Sequence, residues 1–297
     1  MPSGPVPIPV LCDVEGLLDR SMPRRRGVWV WPIGFGALGV VVSALLVAAN
    51  HPETAPAMRV MSGLAVFGFF IAYALVGYLA AQDARQQRLQ LDAVEELVML
   101  RRWPDAAGAV TDLLSRPLAG HGTRVQALVF FASVLSRYHQ YADAIAVHEH
   151  LIATVEMPPS LAMTVRIARA MALLHEDRLL DADRAINELR RMPNAADVAG
   201  VGLVELYRDV KTGHPREAIE LFDARVGQFG SQLGHRAADA YVLVSKAFTM
   251  IGDESRARAC YERATLLAPP GELARRYPDV KDLLGKYPPA AAPPEAA

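Results

Sequence analysis

The sequence predicts an all-α protein, in which a transmembrane helical hairpin is followed by an α-solenoid of about four or five helix pairs. Two long uncharged apolar runs lie in the first third of the chain. The remainder has apolar residues at spacings of three and four, which is typical of amphipathic helices. An alanine also recurs there at a nearly constant interval, as in stacked helix pairs.

Composition excludes several functional classes. The 297 residues include 31 basic and 32 acidic residues, so the chain has no net positive charge of the kind that nucleic-acid binding requires. The two cysteines, Cys12 and Cys260, are far apart, which argues against a disulfide framework and favours a reducing compartment. The sequence contains no GxxxxGK[ST] run, no GxGxxG run after a predicted strand and no GxSxG nucleophile elbow.

The histidines give no metal-binding pattern. His148, Glu149 and His150 are adjacent, so the two imidazoles do not share one face of a helix as they do in HExxH. His175 begins a polar stretch, His175–Asp177, that predicts a solvated turn between helices. We therefore expect no catalytic residue, no metal site and no cofactor, and a protein that is not an enzyme.

The first element is a predicted flexible cytoplasmic segment, residues 1–26, in which VEGLLDR could form a short helix. Residues 27–82 are the predicted hairpin. Its first span is the run GVWVWPIGFGALGVVVSALLVAA at 27–49, and its second lies between Arg59 and Asp83. Each run approaches or exceeds the ~20 apolar residues that cross a membrane as a helix. The short connection contains two prolines and predicts antiparallel helices.

Basic residues predict the orientation of the hairpin. Arg20 and Arg24–Arg26 precede the first span, and Arg85 and Arg88 follow the second, whereas Arg59 alone borders the connection. Because cytoplasmic flanks are rich in Lys and Arg, both termini and the repeat domain are expected in the cytoplasm. The abundance of alanine and arginine suggests a bacterial source, so the membrane is expected to be a bacterial inner membrane. The competing interpretation is a signal peptide cleaved after Ala49, although the apolar run is longer than such signals usually are.

Small residues near the middle of each span could allow the two membrane helices to approach closely. They form one small-xxx-small step in each predicted helix. These residues are Gly39 and Ser43 in the first span and Gly68 and Ala72 in the second.

The predicted repeat domain covers residues 83–270, and alanines mark the second helix of each pair. Their separations are 38, 38, 36 and 39 residues. One helix pair cannot bury its own apolar face, so stacked pairs are needed, with a small residue where two backbones come closest. The alanines are Ala106, Ala144, Ala182, Ala218 and Ala257.

One stretch, ADAYVLVSKAFTMIGDESRARACYERATLLAPP at 238–270, resembles the tetratricopeptide repeat family. Tyr241 and Phe248 occupy first-helix consensus positions, Gly252 lies in the turn, and Ala257 and Tyr261 occupy second-helix positions. The other units match less closely, and their spacing exceeds the 34 residues usual in the family. The resemblance covers roughly two thirds of the chain and implies a concave groove lined by the first helices.

No glycine or proline lies between Tyr78 and Trp103, so the second membrane helix is predicted to continue into the first repeat. After the repeats, residues 271–287 form a predicted capping helix, and residues 288–297 a disordered tail.

Groove positions transferred from the family, unit by unit, are mostly aliphatic here. That composition argues against a clamp for a C-terminal carboxylate and favours an amphipathic helix or an apolar peptide of a protein partner. The predicted groove residues are Gln126, Val129, Ser133, Thr164, Ile167, Met171, Leu203, Tyr207, Val242 and Lys246.

We therefore expect a membrane-anchored scaffold or adaptor that mediates protein–protein interaction at the cytoplasmic face of a membrane. One alternative is an assembly or stability subunit that contacts other membrane helices through its hairpin. A second alternative is an exported solenoid that is released after signal cleavage.

Overall fold

The structure is a computed structural model that describes residues 13–23, the isolated positions 34, 36, 39, 40 and 43, and residues 55–287. All regular secondary structure in these residues is helical. Most of the first predicted span, the first twelve residues and the predicted tail at 288–297 lie outside the described residues. The chain divides into two compact units, Met1–His139 and Gln140–Ala297.

The described helices of the first unit are α1 (Val14–Arg20), α2 (Ala55–Met99), α3 (Trp103–Leu114) and α4 (His121–Arg137). Helix α3 packs against α1, α2 and α4, and α2 also contacts α4.

The second unit contains the remaining helices, most of which pack against their neighbours in the chain. First helices of successive pairs also contact each other, α6 with α8 and α8 with α10. The helices are α5 (Tyr141–Thr154), α6 (Pro159–His175), α7 (Leu179–Arg190), α8 (Ala199–Lys211), α9 (Pro215–Leu233), α10 (Ala237–Ile251), α11 (Glu254–Leu267), α12 (Pro270–Arg276) and α13 (Lys281–Lys286).

Helix α2 is a single uninterrupted helix of 45 residues. Its first part carries exposed apolar side chains such as Phe67 and Leu75, whereas Leu91 and Val94 further along are buried. The predicted continuation of the second apolar run into the first repeat is thereby confirmed. Within the described residues, one helical stretch, Val66–Met99, is long and apolar enough to cross a membrane.

The change along α2 occurs within about one turn of helix. Asp83 is the first charged residue after the apolar run, and Gln87, one turn later, is buried. The Gln87 side chain accepts a hydrogen bond from the backbone N–H of Ala119 at 2.6 Å and lies 3.5 Å from the Pro117 carbonyl. This amide therefore fixes α2 to the loop before α4.

Helix α1 precedes the first apolar run in sequence but packs on the repeat region of the first unit. Its apolar residues Val14, Leu17 and Leu18 are buried. Arg124 of α4 donates from Nη2 to the Leu18 carbonyl at 2.9 Å and from Nε to Ser21 Oγ at 3.2 Å. The N-terminal segment is thus held by both apolar burial and a buried guanidinium.

A left-handed residue lies five positions before each repeat alanine, at the turn between paired helices. Such φ values cost non-glycine residues free energy, and glycine is usual there. The five alanines themselves are fully buried, as expected for points of close backbone approach. The left-handed residues are Arg101, His139, Asp177, Gly213 and Gly252, with φ between 57° and 83°.

Backbone hydrogen bonds repeat with the same register. In four of these turns, the N–H after the left-handed residue donates to a carbonyl five residues earlier, as in the Schellman motif. The four bonds are Arg102 to Leu97, Arg178 to Leu173, His214 to Asp209 and Asp253 to Phe248. The periodicity of the alanines therefore corresponds to a repeated backbone unit.

Candidate partner-binding groove

The predicted groove positions of the first unit lie on one face of α4. Gln126 and Ser133 are exposed and Val129 is half-buried. The Gln126 Nε2 atom donates to Glu95 Oε2 of α2 at 3.4 Å, and the Ser133 hydroxyl donates to the Val129 carbonyl at 2.9 Å. This face is polar at both ends and apolar in the middle.

The third helix pair has an open face of the same kind on α6. Thr164 is exposed, and Ile167 and Met171 are half-buried. Ile167 also packs at the contact between α6 and α8, because a Cβ atom placed on Gly200 would lie 3.1 Å from Ile167 Cδ1. Glycine at position 200 therefore allows the two first helices to approach closely.

Three predicted groove residues are buried and line no open surface. Leu203, Tyr207 and Val242 are each at most 2% exposed. The prediction placed them on a solvent-facing groove, and that placement is wrong because all three side chains are buried; Tyr207 is covered by His175, Tyr277 and Asp279. Lys246 is partly exposed, and its Nζ donates to Asp282 Oδ2 at 2.6 Å.

The covering element is the C-terminal segment, which we define as residues 270–287. It comprises α12, a 3₁₀ turn at Pro278–Val280 and α13, and it contacts α10. Its apolar side chains belong to the hydrophobic core of the second unit. The buried ones are Leu273, Ala274, Tyr277, Val280, Leu283 and Tyr287.

An aromatic cluster joins the C-terminal segment to three helices of the repeats. The His175 ring stacks on Tyr141 at 4.4 Å between centroids, and it lies 5.1 Å from the Tyr207 ring and 5.7 Å from the Tyr277 ring. The expectation that His175 is a solvated turn residue is therefore wrong, since its imidazole completes a ring cluster. Its neighbours Glu176 and Asp177 are exposed.

Polar groups at the edge of this cluster are also shared with the C-terminal segment. The Tyr207 hydroxyl donates to Asp279 Oδ2 at 2.9 Å, and burial together with the Asp279 carboxylate raises the pKa of Tyr207 above its ordinary value. Lys211 Nζ lies 2.8 Å from Asp177 and 3.7 Å from Asp279. The tyrosine is thus held protonated as a hydrogen-bond donor.

A buried carboxylate marks the other end of the covered face. Asp239, at the start of α10, has no solvent exposure. It forms a salt bridge with Arg276 of the C-terminal segment, and Arg236 lies 3.5 Å away. Burial raises the pKa of Asp239, and the two guanidinium groups oppose that shift.

The small residues of the predicted hairpin make no close contact among the described atoms. A Cβ atom on Gly39 or on Gly68 would meet no described atom within 4 Å, and Ser43 and Ala72 are exposed. A Cβ atom on Gly34 would lie 4.0 Å from Phe69 Cε2. Helix packing through the four small residues stays a prediction.

The histidine run contains a buried imidazole. His148 is 3% exposed on α5, four residues after Ala144, where the other second helices carry apolar or aromatic side chains. Burial and the neighbouring Arg169 lower the pKa of His148 to about 4. Within the described residues, no group of three metal-ligating side chains comes together.

Sequence reasoning missed His175, Lys211, Tyr277 and Asp279 as residues of this face. Tyr277 and Asp279 lie in the stretch YPDVKDLL, where aromatic, acidic and aliphatic residues alternate at short spacing. That alternation is a signal for a segment with one apolar and one charged face. It did not indicate which surface the segment covers.

The fold and this face define an α-helical repeat architecture attached to an apolar helix. No protein-family model, no curated protein and no solved structure matches the chain significantly.

Proposed function

We propose that this protein is a membrane-anchored, TPR-like scaffold that recruits a protein partner at the cytoplasmic face of a membrane. The observation that carries the proposal is helix α2. Its apolar first part is exposed, and the same helix continues into the first repeat, so insertion of one part ties the repeats to the bilayer surface. From Val60 to Gln82 such a helix extends about 34 Å, enough to cross the ~30 Å hydrocarbon core.

The position of helix α1 supports a two-span anchor. Residues 13–23 precede the first apolar run, yet Leu17 and Ser21 are buried against the repeat region that follows the second run. Two segments that pack together occupy the same side of a membrane. A chain that crosses at residues 60–82 must therefore cross once more between residues 23 and 55.

The same contact argues against the exported alternative. Cleavage after Ala49 followed by export would separate α1 from the repeats and remove the acceptors of Arg124 on residues 18 and 21. The buried side chains of Leu17 and Leu18 would also be lost from the core of the first unit. The arginines around the spans favour the cytoplasm as the shared compartment.

Topology is tested by labelling single cysteines with a membrane-impermeant maleimide, in a background of Cys12→Ser and Cys260→Ser. Glu15→Cys and Glu262→Cys, both exposed, should react only when the cytoplasmic face is accessible. Glu53→Cys, in the connection between the predicted spans, should react only from the other face. Labelling of positions 15 and 262 from opposite faces would contradict the two-span anchor.

Partner recruitment is tested by cross-linking the full chain in native membranes. Thr164→Arg places a bulky charge on the open face of α6, whereas Leu180→Arg, at a residue that is 77% exposed on α7, is the matched control. We expect a cross-linked protein that is lost with Thr164→Arg and kept with Leu180→Arg. Equal capture of the cross-linked protein by both variants would show that the open face of α6 does not bind the partner.

If a partner is captured equally by both variants but lost when Gly68 and Ala72 are changed to leucine, the assembly-subunit alternative would replace the scaffold.

Confinement of a binding face to a membrane raises its effective concentration toward membrane partners, which is how we expect the scaffold to act.

A further inference from the structure

The C-terminal segment (residues 270–287) covers the face of the second unit on which the family resemblance places the groove. Arg276 binds Asp239 near the start of α10, Asp282 binds Lys246 in the middle, and Tyr287 and Lys286 bind Glu254 beyond its end. The segment therefore follows the length of α10, at the positions that a bound peptide would use.

Its contacts combine an apolar floor with a charged rim. Tyr277, Val280 and Leu283 are each at most 2% exposed. Asp279 and Asp282 face Lys211 and Lys246, one on α8 and the other on α10. An apolar strip flanked by acids on one side and by cations on the other is how an amphipathic peptide is recognised in a groove.

The cations belong to the groove wall and the acids to the covering segment. Lys211 and Lys246 are 12% and 23% exposed, whereas Asp279 and Asp282 are 39% and 55% exposed. Asp282 is more than half exposed, so its ion pair with Lys246 contributes little to stability and can be exchanged for that of another peptide at small cost. Asp279 is held more firmly, because it also accepts the hydrogen bond of the buried Tyr207 hydroxyl.

We propose that the C-terminal segment is a resident ligand of a peptide-binding groove on α8 and α10, and that the partner presents a peptide of the same chemistry. Such a peptide carries an aromatic residue, acidic residues two and five positions later, and aliphatic residues three and six positions later, as in YPDVKDL. This inference rests on the proposed scaffold function and specifies the partner that the scaffold takes.

Because it is tethered, the resident competes at a high effective concentration, of mM order for short flexible links. The unmodified chain should therefore bind a free peptide weakly. Loosening the resident without altering the groove should increase binding.

The experiment uses the full chain in nanodiscs and a fluorescein-labelled synthetic peptide of residues 270–287, followed by fluorescence anisotropy. Asp279→Asn with Asp282→Asn removes the acids of the resident only. We expect this variant to bind the labelled peptide at least tenfold more tightly than the unmodified chain. Glu262→Gln, at an exposed acid of α11, is the control and should bind as the unmodified chain does.

A charge exchange tests whether the peptide occupies the groove. Adding Lys246→Glu to the Asp279→Asn, Asp282→Asn variant should abolish its gain in affinity for the labelled peptide. A labelled peptide carrying D282K should restore that affinity. Val280→Asp is a second loosening variant, because it places a charge on the buried floor of the resident and leaves the groove wall unchanged. If neither loosened protein binds the peptide more tightly than the unmodified chain, the proposal is overturned.

The outcomes separate this inference from the scaffold function. Loss of the cross-linked partner with Thr164→Arg, without any gain in peptide binding, would overturn the resident ligand and leave the scaffold standing. A gain in peptide binding that the charge exchange reverses would support the resident ligand even if no membrane partner is captured.

Discussion

Equivalent positions of the repeat are exposed to different degrees in the third helix pair and in the last two pairs. On α6, Ile167 and Met171 are half-buried, whereas their equivalents Leu203 and Tyr207 on α8, and Val242 on α10, are buried. At Tyr207 the difference comes from residues 270–287, because the Tyr277 ring and the Asp279 carboxylate pack on its side chain. A repeat position is therefore surface or core according to what packs on it, and the periodicity alone does not decide which.

The strongest test of this comparison removes the aromatic side chain that joins the covering segment to the repeats. Tyr277→Ala should lower the free energy of unfolding by about 3–5 kcal/mol, because a large buried ring is lost and a cavity remains. Chemical denaturation of the full chain in detergent measures the change. Leu266→Ala, at a residue that is 81% exposed, should stay within about 0.5 kcal/mol of the unmodified protein. Equal losses would mean that Tyr277 is not part of the core.

A second test concerns a position that is apolar in one second helix and titratable in another. Ile186 occupies it in α7, and His148 occupies it in α5. The pKa of His148 is lowered to about 4, against ~6.5 in an unfolded chain. Between these values the unfolded chain binds a proton that the folded chain does not, so stability is present above pH 6.5 and falls as the pH falls toward 4. The loss should reach about 3 kcal/mol.

His148→Leu should remove that pH dependence, because leucine resembles the apolar residues at the equivalent positions. Thermal unfolding between pH 4 and pH 7 measures it, with His235→Leu at an exposed histidine as the control. If the slope persists in His148→Leu and vanishes in His235→Leu, the buried imidazole is not its source.

The smallest expected effect comes from a single hydrogen bond between the repeats and the covering segment. Tyr207→Phe removes the hydroxyl that donates to Asp279 and should cost about 1 kcal/mol, the usual contribution of such a bond. Tyr261→Phe is the matched control, since the Tyr261 hydroxyl has no partner among the described residues. Its stability should be unchanged or slightly higher. A larger loss with Tyr261→Phe would contradict this assignment of bonds.

Much of the fold could be predicted because the signals are local. An apolar run without a helix stop before Trp103 indicated one long helix, and Ala106 to Ala257 indicated the repeat interval, since close backbone contact admits only small side chains. The turns were less visible. Gly213 and Gly252 are expected at left-handed positions, but Arg101, His139 and Asp177 adopt the same conformation and give no such signal.

The candidate groove could be predicted only in part. Thr164 and Ser133, two groove positions transferred from the resembled family, are exposed as that transfer implied. The stacking of His175 on Tyr141 and the pairing of Asp239 with Arg276 are long-range contacts with no sequence signature.

The sequence by itself determined the helical class, the continuity of α2 and the register of the repeats, because helix periodicity and close packing at alanine act over a few residues. Tertiary structure alone decided that α1 returns to the repeats and that the C-terminal segment covers the faces of α8 and α10. Those outcomes depend on which apolar surfaces are complementary, and that property belongs to the assembled helices.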